Sequence, residues 1–527
     1  MYLSASCRLR NTATPLAVLA LIATLPAGTA GVAGAQQTRA QVIAPVSGTE
    51  RTHFTAVPTA KQARTTVAVP GNVRRYRVRT SLTARHEWFR QVKEGRAVFN
   101  GWWARHTDLK SGAVTIWDGR QDVHGRVANV AAVAAERADL VTQKAAGTSS
   151  AATQGSHLVV LPDASGEGAP RLTWAVHTAT GQGATLTFVD AENADVLHVV
   201  EIAHRLDQAT PTKAGAYSVR GRGRVFDPNP SAKLQRQDLR DRNDSNAAVP
   251  SAAYTIVDLP RLNSQHTLVG KWVRITNRRR ATSPENRYLY RRDGRRFEQV
   301  NAYHALDALQ HYLQRLGFRD VNSESQKIEV NAFADDNSYY DEQNDKISTG
   351  TGGVDDAEDV EVLWHEYGHA IQSDQVPGFG FAGQTGAIGE GFGDYIAATM
   401  SQANTRTTTK VPTACVADWD ATSYDPTTPH CLRRTDTNKH YPEDLTGEVH
   451  ADGKIWSRAL WDMNAVFGRA NATTIIVESH FSMSPAVTMP RAARTTVDTA
   501  RRLYPGSGIA TQTRHIFVRR GILLPLS

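Results

Sequence analysis

The sequence predicts an α+β protein in which strands come first and helices follow. Three observations carry this. Residues 36–206 alternate apolar and polar positions between turn residues, as in 113–117 (Ala-Val-Thr-Ile-Trp), 158–161 (Leu-Val-Val-Leu) and 186–189 (Leu-Thr-Phe-Val). Strand-like runs continue to about residue 280. Residues 297–316 place Val300, Tyr303, Leu306, Leu309, Tyr312 and Leu313 on one helical stripe. From residue 357 onward helical patterns dominate, including 454–467 and 486–504.

The N-terminus reads as an export signal. Arg8 and Arg10 precede an apolar run over 15–25, and 32–35 (Val-Ala-Gly-Ala) place small residues before Gln36. Residues 1–35 are therefore expected to be a signal peptide and the protein to be secreted. That run is too short for a membrane span, and no later stretch reaches the required length. Cys7 would leave with the signal. Cys415 and Cys431 remain, and in an oxidising compartment a loop of that size favours a disulfide worth about 3 kcal/mol.

The most informative stretch is 362–371, Val-Leu-Trp-His-Glu-Tyr-Gly-His-Ala-Ile, with His365, Glu366 and His369 in the pattern H-E-x-x-H. Residues four apart share a helix face, so both imidazoles can bind one zinc ion, with Glu366 beside it as a base toward water. A catalytic zinc site wants a third protein ligand. Glu390 can supply it from 386–400, and Asp394, again four residues on, can fix the tautomer of a ligating histidine. Glycines at 386, 389, 391 and 393 weaken a solitary helix by about 1 kcal/mol each, which makes sense if it approaches its neighbour closely. The acids Asp355, Asp356, Glu358 and Asp359 read as capping charge for the zinc helix. Calcium there is an alternative that nothing in the sequence supports.

The runs His-Glu-Tyr-Gly-His-Ala-Ile (365–371) and Gly-Glu-Gly-Phe-Gly-Asp (389–394) resemble those of gluzincin metallopeptidases, within them the fungalysin and thermolysin-like group. Gln372 and Gln375 stand where metzincins carry glycine and histidine. The resemblance implies further roles. The stretch 444–461 is similar to the one around the family's downstream active-site histidine, here His450, a donor to the oxyanion; Asp444, Glu448 and Asp452 are all candidates to orient it. Asn337 and Ser338 match an Asn-Ala pair on an edge strand that binds substrate backbone. A tyrosine that thermolysin-like enzymes carry between the second histidine and the glutamate has no counterpart in 372–385, and 395–409 hold no acid for a thermolysin-type calcium pair.

Residues 172–200 resemble a fungalysin or thermolysin-type propeptide, and 223–230 the start of fungalysin catalytic units; a flexible linker is expected at 145–153. The implied organisation is a signal peptide at 1–35 and an inhibitory, folding-assisting, β-rich propeptide at 36–210. A two-lobed thermolysin-like catalytic unit follows: a β-rich N-terminal lobe at 211–370 ending in the zinc helix, then a helical lobe at 371–527. The mature part is expected to begin between 208 and 223.

A net charge of +8 spread over 527 residues is too diffuse to argue for nucleic acid. The expectation is a secreted, monomeric zinc endopeptidase made as a zymogen, with one catalytic Zn2+, a peptide or protein substrate and its own propeptide as partner. An aminopeptidase of the same chemistry and a non-catalytic binding protein on a peptidase fold are the alternatives.

Overall fold

The structure is a computed structural model describing residues 67–145, 152–163, 169–180, 183–201, 217–380 and 383–525. The signal segment with Cys7, residues 146–151 of the linker and 208–216 of the expected mature start lie outside them.

The first described part is one eight-stranded sheet. Its strands are β1 (Val73–Thr80), β2 (Ala84–Lys93), β3 (Arg96–Asp108), β4 (Val114–Gly119), β5 (Ala152–Leu161), β6 (Arg171–Thr180), β7 (Gly183–Asp190) and β8 (Val196–Glu201). Their order is β1-β2-β3-β5-β6-β7-β8, with β4 also paired to β3. Helix α1 (Ala135–Ala145) precedes β5. The alternating segments fall in β4 to β8; the central β6 and β7 are buried on both faces, as the consecutive buried residues Ala175, Val176 and His177, and Leu186, Thr187 and Phe188, show.

The next part carries β9 (Val219–Phe226), α2 (Pro230–Leu234), β10 (Tyr254–Leu262), β11 (Val273–Ile275) and β12 (Arg287–Tyr288). Helix α3 (Phe297–Arg315) follows, then β13 (Gln326–Phe333), β14 (Ser338–Asp341) and β15 (Lys346–Gly350). Strands β10-β9-β12 form one sheet and β11-β13-β15-β14 another, with β14 at an edge. Every residue of the expected α3 stripe is buried.

Helices then take over: α4 (Val360–Gln375), α5 (Gly383–Ser401), α6 (Val449–Phe467), α7 (Arg469–His480), α8 (Met489–Leu503) and α9 (Ile509–Arg519). Only the two-residue pair β16 (Cys415–Val416) and β17 (Arg433–Arg434) interrupts them among the described residues. The class is α+β, as expected. Helix α4 runs to Gln375, so the boundary drawn after residue 370 falls inside it. Helix α6 starts at Val449 rather than 454, because the Glu448 carboxylate caps it, accepting from the amides of His450 and Ala451 at 3.0 and 2.7 Å.

The N-terminal sheet grips the end of α4. Arg79 Nε donates to both carboxylate oxygens of Asp374 at 2.8 and 2.9 Å. Arg77 Nη1 donates to the carbonyls of Ser373 and Asp374 at 2.7 and 3.2 Å, where the helix dipole favours a cation. On α7, the buried Glu478 carboxylate accepts from Ser81 Oγ at 2.8 Å and from the amides of Leu82 and Thr83 at 3.0 and 2.9 Å. Trp88 and Trp117 of the sheet belong to the same apolar core as the helices.

Two buried histidines sit at this seam. His86 Nδ1 lies 2.7 Å from His106 Nδ1, and the His86 ring stacks on Phe481 with centroids 4.6 Å apart. Burial, helped by the charge of Arg502 on α8, drives His106 from 6.5 down to about 3. Between those values the unfolded chain binds a proton that the folded chain refuses, so stability rises with pH there and is lost as pH falls from 6.5 toward 3. The expected outcome is that acidification across this window lowers stability through this group, by on the order of 1 kcal/mol per pH unit. Urea unfolding at several pH values should give a His106→Gln variant a shallower acid loss than the parent.

Candidate metal centre

Helix α4 forms because Asp359 caps it, its Oδ1 accepting from the Glu361 amide at 3.0 Å. The expected capping role thus falls to Asp359 alone. Asp355 accepts from Asn331 Nδ2 at 3.1 Å, Asp356 from Ser338 Oγ, and Glu358 from Arg292 Nη2 at 2.6 Å. Asp241, Asp244 and Glu358 gather closely enough to suggest a cation, but the Arg292 guanidinium already lies among them.

On the next turns of α4, His365 and His369 face α5. His365 Nε2 lies 3.2 Å from His369 Nε2 and 3.2 Å from Glu390 Oε2, and His369 Nε2 lies 3.4 Å from Glu390 Oε1. Ligands bound tetrahedrally at zinc distances stand about 3.3 Å apart, so the donor set fits that ion. Two further observations agree. Glu390 Oε2 is buried with no hydrogen-bond partner. Burial works against charge on His365, yet Asp394 and Glu390 pull it up to about 10, so the cluster calls for positive charge. Burial also opposes ionisation of Glu390, but the two histidines hold it well below the carboxylate range.

Asp394 sits one turn beyond Glu390 on α5, fully buried, with Oδ1 3.0 Å from His365 Nδ1. Asp394 is expected to contact a ligating histidine, and the histidine it meets is His365. Glu366, beside the first histidine, is 6 % exposed, and burial pushes it up to about 7. His450 opens α6 across from these helices, with Nε2 3.4 Å from Glu390 Oε2. Its Nδ1 lies 2.7 Å from Glu448 Oε1, so of the three candidate acids Glu448 orients it. Asp452 instead accepts from the Thr446 and Gly447 amides, and Asp444 from the His440 amide. Asn337 immediately precedes β14 and Ser338 is its first residue, at the sheet edge.

Sequence reasoning missed Arg433. Its Nε donates to both oxygens of Asp394 at 3.0 and 2.9 Å, and its Nη2 lies 3.3 Å from His365 Nδ1. Arg433 belongs to β17, paired in register with Val416 of β16, and the expected Cys415–Cys431 disulfide closes that hairpin. Its signal was its place two residues after one of the paired cysteines, which says nothing about the helix it would meet.

Two histidines one turn apart, a glutamate from a second helix and a carboxylate behind the first histidine define a metal-dependent hydrolase centre of the H-E-x-x-H type. The family model for Fungalysin metallopeptidase matches residues 295–476, which span all of these groups. That match supports a fungalysin-like zinc metallopeptidase. No curated protein matches the chain. Among solved structures, the Bacillus megaterium YpeB C-terminal domain aligns at 11% identity, over 25% of this chain and 57% of that one, with a TM-score of 0.17. The chain thus spans little more than half of that domain, and a likeness of that size carries no argument about fold or function.

Replacing Arg433 with leucine leaves Asp394 without its strongest partner and loosens its hold on His365. Loss of such an outer contact is expected to weaken zinc binding roughly 10–100-fold, read by competition with a chromogenic chelator.

Proposed function

We propose that the protein is a secreted zinc endopeptidase made as an inactive precursor, with 1–35 as signal peptide, 36–210 as propeptide and 211–527 as the catalytic unit. The observation that carries the reaction is the placement of Glu366. It is a buried carboxylate next to a histidine of the metal triad, with its value raised to about 7, where a group can both take and return a proton.

In this reading His365, His369 and Glu390 hold one zinc ion, and Asp394 fixes the tautomer of His365. When bound, zinc polarises the scissile carbonyl and acidifies water. Glu366 takes the proton of the attacking water at its carboxylate and passes it to the leaving amine. His450, fixed through Nδ1 by Glu448, presents Nε2 to the carbonyl oxygen as negative charge develops there. The missing tyrosine leaves His450 as the side-chain donor for that charge. Asn337 and the edge strand β14 bind the peptide backbone by strand addition. The N-terminal sheet, gripping α4 through Asp374, is the piece that holds the precursor together, and the protein acts as a monomer.

A second reading, aminopeptidase action, draws on Asp336, Asp356 and Asp420. Their carboxylate oxygens lie within 4.8 Å of one another, and Asp356 accepts from Ser338 at the start of β14. Such a group suits a free amine.

Glu366→Gln is expected to retain zinc by metal analysis while hydrolysis of casein falls to background; an active purified variant would sink the mechanism. An N-acetylated peptide is expected to be cut as well as its free-amine form, whereas cleavage confined to the free amine favours the aminopeptidase. N-terminal sequencing of the exported protein is expected to start beyond residue 207; an exported, active form that retains 36–207 overturns the zymogen.

A further inference from the structure

Away from the metal centre, and sharing no residue with it, β3, β4 and the outward face of α8 enclose a cavity of about 540 Å3. Its lining is cationic. Arg491, Arg494 and Arg502 are three and eight residues apart in turn on α8, which puts them on the face opposite the buried Ala492, Ala493, Thr496 and Ala500. Two acids also line the cavity; both are held by neighbouring donors, and the charge of Arg502 also acts on Asp108. Asp108 Oδ1 accepts from the amides of Lys110 and Ser111 at 3.0 and 2.6 Å, and Asp498 Oδ1 accepts from Arg501 Nη1 at 2.5 Å. Arg491 lies over the Trp117 ring, 5.0 Å from its centroid, and Arg502 Nη2 donates to Thr499 Oγ1 at 3.0 Å, so two of the three guanidiniums are already oriented.

A second observation points to a ligand. His106 is 6 % exposed and lines the same cavity. Its Nδ1 meets His86, but its Nε2 is buried with no hydrogen-bond partner. An orphaned buried nitrogen is costly unless something reaches it. The geometry points to a binding site for a phosphate-type oxyanion, held by Arg491, Arg494 and Arg502 with His106 Nε2 as a further contact. Guanidinium forks match phosphate oxygens in pairs, and the volume is that of a small-molecule site rather than of a lone ion. The ligand touches the N-terminal sheet on one side and α8 on the other. Its binding free energy therefore adds to the docking of the sheet on the helices.

The inference does not depend on the peptidase reading, and full-length Glu366→Gln protein tests it without self-cleavage. Calorimetric titration with pyrophosphate and with inorganic phosphate, ionic strength held by sodium chloride, is expected to give saturable one-site binding to at least one of them. The tighter arm tells whether the site takes one phosphate group or two. An Arg494→Gln/Arg502→Gln variant is expected to lose roughly tenfold or more in affinity. Because both positions are exposed, its melting curve without ligand should match the parent. In the unmutated pocket, the same ligand is expected to move the His106 ring signals in 15N-histidine spectra. Absence of saturable binding, undiminished affinity in the double variant, or binding that leaves the His106 signals unmoved overturns the site.

Discussion

The closeness of α4 to α5 is the constraint on which the rest of the centre depends. A Cβ at Gly393 would lie 2.6 Å from His365 Nδ1, and one at Gly368 would lie 3.1 Å from the Cα of Gly393. With alanine at 393 the imidazole would have to move, and Glu390 on the same helix would move with the backbone that was displaced. The far side of α5 is equally bare. A Cβ at Gly391 would lie 2.6 Å from the Gly453 carbonyl, and one at Gly453 would lie 2.9 Å from Glu390 Cβ. Glycines cost an isolated helix about 1 kcal/mol each. Here they let one helix be sandwiched between two others, which brings a carboxylate from α5 within metal-sharing distance of two imidazoles on α4 and sets His450 of α6 beside them.

Packing so tight shields charge from solvent, so the polar groups must satisfy one another. Asp394 does so twice, toward His365 and toward Arg433. The arginine reaches it from a hairpin that joins no large sheet and is closed by Cys415–Cys431. A short ladder of two residue pairs is marginal alone. The covalent closure therefore bears on the metal centre, because it limits where a buried guanidinium can sit. Arg292 plays a comparable part beneath the start of α4, its charge and hydrogen bonds opposing the burial that still raises the Glu358 carboxyl to about 8.

How far the sequence discloses this centre follows from the range of each interaction. Groups four residues apart on one helix, such as His365 with His369 and Glu390 with Asp394, are readable because helix geometry fixes their relation. The glycine density of α5 correctly signals close approach. The partner of His450 is not readable, since acids at 444, 448 and 452 are all near in sequence and only the cap at Glu448 decides among them. Arg433 is less readable still, being brought to Asp394 by a hairpin whose placement is tertiary. The alternating pattern at 158–200 discloses strands. It does not disclose that the sheet's first strands end on α4 and α7, because Arg79, Ser81 and Thr83 read as ordinary exposed positions.

Those last contacts bear on the proposed precursor. Asp374 is buried, and the charges of Arg79 and Arg77 keep it ionised against the push of burial. Glu478, 1 % exposed, has its oxygens turned toward Ser81, Leu82 and Thr83. Cutting the chain near residue 210 breaks none of these bonds. If the sheet departs, Glu478 loses these donors and Asp374 loses both arginines, keeping the Asn322 amide, so each carboxylate must find water or a proton. A nick by itself would therefore leave a docked complex rather than a freed catalytic unit. Separation then requires conditions that weaken the seam. The neutral pair His86 and His106 lies in that seam against Phe481, and a proton forced onto either buried ring would be opposed by the charge of Arg502. Activation of the proposed zymogen is thus a two-part event on this geometry, a covalent cut followed by a separation whose barrier is set by buried polar contacts behind the metal helix.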